Sequence, residues 1–475
     1  MLTYSLQKND TVPLYEQLTR HIKEDITSGR ISPGEKLPSR RSLARNLGIS
    51  VITVETAYQQ LMSEGYLESR PRSGCYAADI SVPFSAEKEK SLDSLPEWDE
   101  PRMNPFIDLS GNETPRENFP FTAWARVSRA ELSLESSSLV ASSPGIGVRA
   151  LREVIATHLL KFRGLHCCPE QIVIGAGTEY LYGLLIQLLG FDQVYGVEDP
   201  GYWKIPRIYE SHGVSCRYIP LDDFSEASVI SKTGADILHI TPSHHFPTGR
   251  VMPIRYRNEI LKWASCGKRY IIEDDYDSEF RFTGQPIPAL FETDPYGCVI
   301  YMNTFTRTLA STVRISYMVL PPALMKELKE RLSFYSCTVS NFEQYTLARF
   351  IREGFFERHI NRMRNDYRLR RKRILQLLSE SPLAPRMRIR EEDAGLHFLL
   401  ELDTALSDEE LTARCRKASI RIVPLSVFYH DSMAAPQHTF LISYSSLSPE
   451  LLPEAVKTLS GLLDERAEEK NEVAQ

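Results

Sequence analysis

The stretch QIVIGAGTEYLYGLLIQLLG (171–190) passes from a short β-branched run, through a glycine turn, into an apolar run of helical length. The same pattern recurs along the chain. QVYGVEDP (193–200), ILHITPS (237–243), RYIIEDDYD (269–277) and VIYMNTF (299–305) are further strand candidates, with amphipathic helical segments between them. Strands alternating with helices imply an α/β fold with a mostly parallel sheet, whose ligands lie at the carboxyl ends of the strands. Polar residues gather at those ends: GAGTE, EDPGY, TPSHHFPTG, EDDYD and NTFTRT each follow a strand candidate.

At 475 residues the chain is long enough for two or three domains. Charged residues at 25% and hydrophobic residues at 42% are ordinary globular values that allow a sizeable core. The opening MLTYSLQKND lacks a basic start followed by an apolar run, and runs such as LLIQLLGF are too short to span a bilayer. A cytoplasmic protein without a membrane partner is therefore expected. The eight cysteines contain no C-x-x-C pair, so they read as reduced thiols, not as a disulfide or metal framework. Composition changes near residue 80, where SVPFSAEKEKSLDSLPEWDEPRMNP (81–105) is rich in Ser, Pro, Glu and Lys without an apolar period. This divides the chain into a small domain over 1–78, a linker over 79–105 and a large domain over 106–475. Residues 1–78 hold ten Lys+Arg against eight Asp+Glu, a balance of +2 within a whole-chain charge of −6. A mildly basic amino-terminal piece on an acidic body is compatible with nucleic-acid binding at that end.

Within the small domain, Leu14, Leu18, Ile22 and Ile26 recur every four residues on one helix, which Gly29 ends. SRRSLARNLGIS then gives a short helix, a turn at Gly48, and Ser50 as the cap of a third helix that buries Val54, Tyr58 and Leu61. YLES and CYAA, separated by RPRSG, make a two-stranded wing. Two short helices across a glycine turn, followed by a wing, form a winged helix-turn-helix whose second motif helix enters the DNA major groove. The segments PLYEQL, SGRISPGEKLPSRRSLARNLGIS, TVETAYQQLMSEGYL and RPRSG resemble the GntR family of transcription factors over residues 11–78. The resemblance implies double-stranded operator DNA as partner. It places Arg41 at the head of the second helix and Ser50, Ile52 and Thr53 at the start of the third near DNA, with Arg70, Arg72 and Gly74 on the wing. Arg40, Arg41, Arg70 and Arg72 can neutralise phosphates, while Ser50 and Thr53 offer short hydroxyls to backbone or base edges. Many relatives carry an arginine directly after the Ser50 position, where this chain has Val51. A bidentate guanine contact is not available from that residue.

The polar clusters of the large domain resemble those of fold type I pyridoxal-phosphate enzymes, the aspartate aminotransferase group. Joined to the amino-terminal domain, and with SPGIGVRALREVIATHL, HINRMRNDYRLRRKR, AGLHFLLEL and VPLSVFY, they make the chain resemble a MocR-type regulator. The resemblance implies pyridoxal 5'-phosphate or pyridoxamine phosphate as cofactor. Gly177, Thr178 and Glu179 open a helix where free amides and the helix dipole favour its phosphate, and Thr304, Thr306 and Arg314 add hydroxyls and a fork donor. Tyr202 matches the aromatic that stacks on the ring, Asp274 the carboxylate that pairs with the pyridinium nitrogen, and Tyr276 the phenol near the ring hydroxyl. Lys204, His244 and His245 are the implied effector-side residues, and Ser446 stands where a second carboxylate-holding residue is expected.

At Arg307, within TFTRTL, the family carries the lysine that forms the Schiff base. Lysine suits that task because burial and neighbouring charge can lower its pKa until a free amine attacks an aldehyde. Arginine cannot be deprotonated in a protein. No catalytic residue is therefore assigned, and any cofactor is expected to be held noncovalently. The leading expectation is a DNA-binding regulator, not an enzyme, whose aminotransferase-like domain senses a vitamin B6 form or an amino compound. It is expected to act as a homodimer with each winged helix against the partner's large domain. Two alternatives stand beside it: an active aminotransferase carrying a DNA-binding appendage, and a regulator that has lost the cofactor and grips another anionic metabolite.

Overall fold

The computed structural model describes residues 3–7, 12–80, 107–111, 114–220, 230, 232–280, 287–390, 395–445 and 447–472. Most of the expected linker and Ser446 lie outside the described residues. The chain divides into two compact units, Met1–Arg102 and Met103–Gln475.

In the first unit, α1 (Leu14–Thr27), α2 (Arg40–Leu47) and α3 (Val51–Ser63) are followed by a hairpin of β1 (Leu67–Arg70) and β2 (Gly74–Ala77). The helix boundaries have local causes. Ser39 caps α2 by accepting from the Ser42 amide at 3.2 Å, and Gly48 ends it in the left-handed conformation at φ 64°. Ser50 caps α3 by accepting from the Thr53 amide at 3.0 Å, a contact of a kind that stabilises a helix by about 1 kcal/mol. The apolar faces meet in one core of Leu18, Ile22, Leu43, Val54, Tyr58, Leu61 and Leu67. β1 and β2 pair antiparallel from Leu67↔Ala77 to Arg70↔Gly74. This is the winged helix-turn-helix expected from the sequence.

After β3 (Ile107–Asp108), α4 (Phe121–Leu132), α5 (Ser137–Val140) and α6 (Arg149–Arg163), the second unit is built on a seven-stranded sheet. Its strands are β4 (Ile172–Gly175), β5 (Val194–Asp199), β6 (Ser215–Pro220), β7 (Ile237–Ile240), β8 (Tyr270–Asp274), β9 (Val299–Thr304) and β10 (Ser316–Val319), in the order β4-β10-β9-β8-β7-β5-β6. Strands β5 to β9 run parallel to one another. β10 is antiparallel to both β9 and β4. β4, β7, β9 and β10 are buried at every position, as expected when helices cover both faces of a sheet. Among the covering helices, α7 (Thr178–Leu189) and α8 (Lys204–Ser211) begin beyond the carboxyl ends of β4 and β5. A smaller antiparallel sheet includes His397–Leu402 paired with Thr439–Ser443. It shares a core of Phe398, Phe440, Ile442 and Tyr444 with residues of the long helix Phe355–Ser379. No helix among the described residues is long and apolar enough to cross a membrane.

Candidate functional site

The parallel strands deliver their polar clusters to one edge of the large sheet. Asp274 is the last residue of β8, and its strand register pairs it with Met302 of β9, two residues before Thr304. Tyr182, on α7, donates its hydroxyl hydrogen to Asp274 Oδ2 at 2.8 Å. His239 Nε2 lies 3.6 Å from the same oxygen, and the Tyr209 hydroxyl is 2.8 Å from His239 Nδ1. The other oxygen, Asp274 Oδ1, is buried and has no hydrogen-bond partner among the described residues. A buried acceptor without a partner is costly unless a ligand completes it. Sequence reasoning missed Tyr182 and His239 as the carboxylate's supports.

Gly177 precedes α7 at φ +90°, and a Cβ built there would stand 2.6 Å from Arg314 Nη2. Arg314 Nη2 pairs with Glu179 Oε2 at 2.9 Å, with both side chains about half exposed. Thr304 Oγ1 is a hub: it receives the Thr306 amide at 3.1 Å and the Ser316 hydroxyl at 2.8 Å, and donates to Thr306 Oγ1 at 2.9 Å. Gly177, Thr178, Glu179 and Arg314 are thus brought together, with Thr304 and Thr306 at the adjoining end of β9.

Arg307 follows β9 and is half-buried. Among the described residues its charge reaches Tyr276, Tyr367 and His397. Burial pushes the Tyr276 phenol well above its ordinary range, while the Arg307 cation opposes that rise. The Tyr367 phenol is raised to about 12 by burial, again with Arg307 opposing. His397 is driven down to about 3 by burial, with the neighbouring imidazole of His244 and the cation of Arg307 adding to the effect. Arg307 therefore acts on β8's loop, the long helix and the small sheet together.

Tyr276 does not stand alone: its hydroxyl lies 3.0 Å from His244 Nδ1, which is also 2.8 Å from Asp277 Oδ2. His244 Nε2 is buried without a hydrogen-bond partner among the described residues. His245 faces elsewhere, with Nδ1 2.7 Å from the Thr248 hydroxyl and Nε2 3.8 Å from Glu198 Oε1. Burial raises the Glu198 carboxyl to about 8, although the Thr241 amide and hydroxyl both donate to it. Tyr202 is partly exposed and packs edge-on against Phe246 at 5.8 Å. Lys204 Nζ sits 5.7 Å from the Trp203 ring centre.

In the amino-terminal unit, Arg41 is exposed at the start of α2. Arg40 is tied to Glu55 of α3 at 2.9 Å. Ser50 Oγ and Thr53 Oγ1 are 2.8 Å apart and share a hydrogen. Arg72 turns the wing at φ 61°, Gly74 begins β2, and the Arg70 guanidinium lies 4.3 Å above the Tyr76 ring.

Residues 14–77 match the model of the bacterial regulatory proteins of the gntR family. Over nearly its whole length the chain is similar to the uncharacterized HTH-type transcriptional regulator YdeL of Bacillus subtilis strain 168, at 38% identity across 96% of this chain and 98% of that protein. It is also similar to the probable rhizopine catabolism regulatory protein MocR of Rhizobium meliloti, at 31% identity across 96% of this chain and 94% of that one. The large unit has the fold of the Pyrococcus horikoshii kynurenine aminotransferase, with a TM-score of 0.67 and 23% identity over 77% of this chain and 92% of the other. With a GntR helix-turn-helix ahead of an aminotransferase-like fold and full-length similarity to such regulators, the chain belongs to the MocR-type transcriptional regulators of the GntR family.

Proposed function

We propose that this DNA-binding regulator senses a small molecule in its aminotransferase-like unit, and that the ligand is a vitamin B6 form, an amino compound, or both. The observation that carries the proposal is Asp274, whose Oδ1 is buried and unpartnered while Tyr182 holds Oδ2. That arrangement suits a ring N–H⁺ donor. Pyridoxal phosphate would be held by Asp274 at the ring nitrogen, by the α7 amides after Gly177, by Thr304, Thr306 and Arg314 at the phosphate, and by Tyr202 against the ring. Bound there, the group supplies an aldehyde and an electron-withdrawing ring. Arg307 stands where the family resemblance expects the lysine, and its guanidinium has no free amine to offer. Tyr276 would stand near the ring hydroxyl, and Lys204 and His244 are the residues proposed to meet the effector; His245, expected beside them, is instead fully buried against Thr248 and Glu198. The Arg314–Glu179 pair does not prevent phosphate binding. An exposed pair of this kind is worth about 0–1 kcal/mol, which a doubly charged phosphate at a helix amino terminus can offset.

The test combines thermal shift with chemical trapping on the full-length protein. Pyridoxal phosphate or pyridoxamine phosphate should raise the melting point, and borohydride reduction of pyridoxal-phosphate-loaded protein should leave no pyridoxyl adduct on any pocket lysine. An adduct on Lys204 or a neighbouring lysine would sink the noncovalent reading. No shift from any B6 form or amino acid would sink the sensor reading. The homodimer, with each winged helix against the partner's large unit, belongs to the same proposal. Light scattering that returned the single-chain mass of 54.2 kDa would count against it.

A further inference from the structure

The amino-terminal unit displays apolar side chains that its core does not use. Val51 and Ile52 open α3 and are 42% and 74% exposed, while the same helix already buries Val54, Ala57, Tyr58 and Leu61. Leaving two adjacent branched side chains in water is unfavourable for the isolated fold. Several polar groups around them that could read base edges are engaged within the unit. Ser50 Oγ accepts from the Thr53 amide and shares a hydrogen with Thr53 Oγ1. Thr56 Oγ1 donates to the Ile52 carbonyl at 3.0 Å. Arg40 and Glu55 pair with each other, which ties up the carboxylate that could accept from cytosine. What α3 presents first along its exposed face is hydrocarbon.

In a helix-turn-helix the first turn of this helix faces base edges in the major groove, where thymine alone among the four bases carries a C5-methyl group. We propose that Val51 and Ile52 read thymine methyl groups by apolar contact, so that T·A pairs are the bases specified where the first turn of α3 meets the groove. The exposed Arg41 at the head of α2 supplies phosphate attraction without sequence information. The inference rests on the DNA-binding unit alone and does not depend on what the large unit binds.

A random-sequence duplex pool bound by the full-length protein defines a preferred site, which is then remade with deoxyuridine in place of every thymidine. The change removes methyl groups and leaves base pairing intact. Affinity should fall about fourfold for each methyl contacted, the equivalent of one buried methylene. The double substitution V51S/I52S should weaken binding to the thymine duplex and erase the thymine–uracil difference. Its salt dependence should stay unchanged, because the phosphate contacts remain. Both residues are exposed, so loss of folding is not expected to confuse the result. Equal wild-type affinity for the two duplexes overturns the proposal. So does a double variant that keeps the full thymine–uracil ratio, since the methyl groups would then act through duplex shape.

Discussion

Arg307 carries the proposed separation of binding from covalent chemistry. The phenol of Tyr276 and the buried imidazole of His397 both feel the charge of residue 307. Burial or a neighbouring cation makes an amine easier to deprotonate than in water, whereas a guanidinium keeps its proton. The variant Arg307→Lys, loaded with pyridoxal phosphate, should gain a visible absorption band and a borohydride-reducible adduct on residue 307. Absence of both would mean that the pocket has diverged at more than one residue. At this scale, part of the candidate site is legible in the sequence. Asp274 and Thr304 end their strands, and Tyr276 and Arg307 follow within a few residues, so local pattern and resemblance reach them. Tyr182 was not legible. It lies 92 positions from Asp274 within an apolar helix, and only the packing of α7 on the sheet reveals its role. His239 was hidden in the same way, as a polar letter inside a buried strand.

The long helix Phe355–Ser379 anchors the loop that carries Arg307. His359 Nε2 lies 2.7 Å from the Thr308 carbonyl, and Arg362 Nη2 lies 3.2 Å from His359 Nδ1. A guanidinium can only donate, so Nδ1 accepts and Nε2–H donates to Thr308, which requires the neutral ring. Burial pushes the His359 imidazole down to about 4; the Thr308 carbonyl opposes this and the Arg362 charge adds to it. The folded-state pKa is depressed, so the unfolded chain takes the proton first as pH falls. Stability is therefore full above the unfolded value of about 6.5 and is lost progressively toward pH 4, costing about 2 kcal/mol near pH 5. The melting point should fall across this window, and the fall should be shallower in His359→Gln, whose amide can still donate to Thr308. Parallel curves for the two proteins would remove His359 from the account. Elements differ in how far the sequence announced them. Ser50 and Gly48 mark helix ends by local chemistry, and the alternation of strands and helices implied parallel pairing. The antiparallel course of β10 was not announced, because Ser316–Val319 was not among the strand candidates and its direction follows from a return from β9 that contains no crossover helix.

Two units with separate functions make a regulator only if a ligand in one changes the other's equilibrium. The chain provides a DNA-binding unit and an aminotransferase-like unit, each with its own hydrophobic core. Their charges differ in sense as well: residues 1–78 carry +2 within a chain of −6, which suits a phosphate backbone at one end only. Coupling between two sites is a free energy and is reciprocal. If pyridoxal phosphate changes the affinity for operator DNA by some factor, operator DNA must change the affinity for pyridoxal phosphate by the same factor. Effector systems commonly show factors of about 5–150. Titrating operator DNA with and without pyridoxal phosphate, and pyridoxal phosphate with and without operator, should return one common factor in that range. Amino compounds added to the cofactor-loaded protein should move DNA affinity further if they are the physiological signal. A factor of one in both directions, with DNA binding intact, would leave a DNA-binding protein whose large unit has some other purpose. A factor above one for amino compounds but not for pyridoxal phosphate would assign the cofactor to structure and the amino compound to signalling.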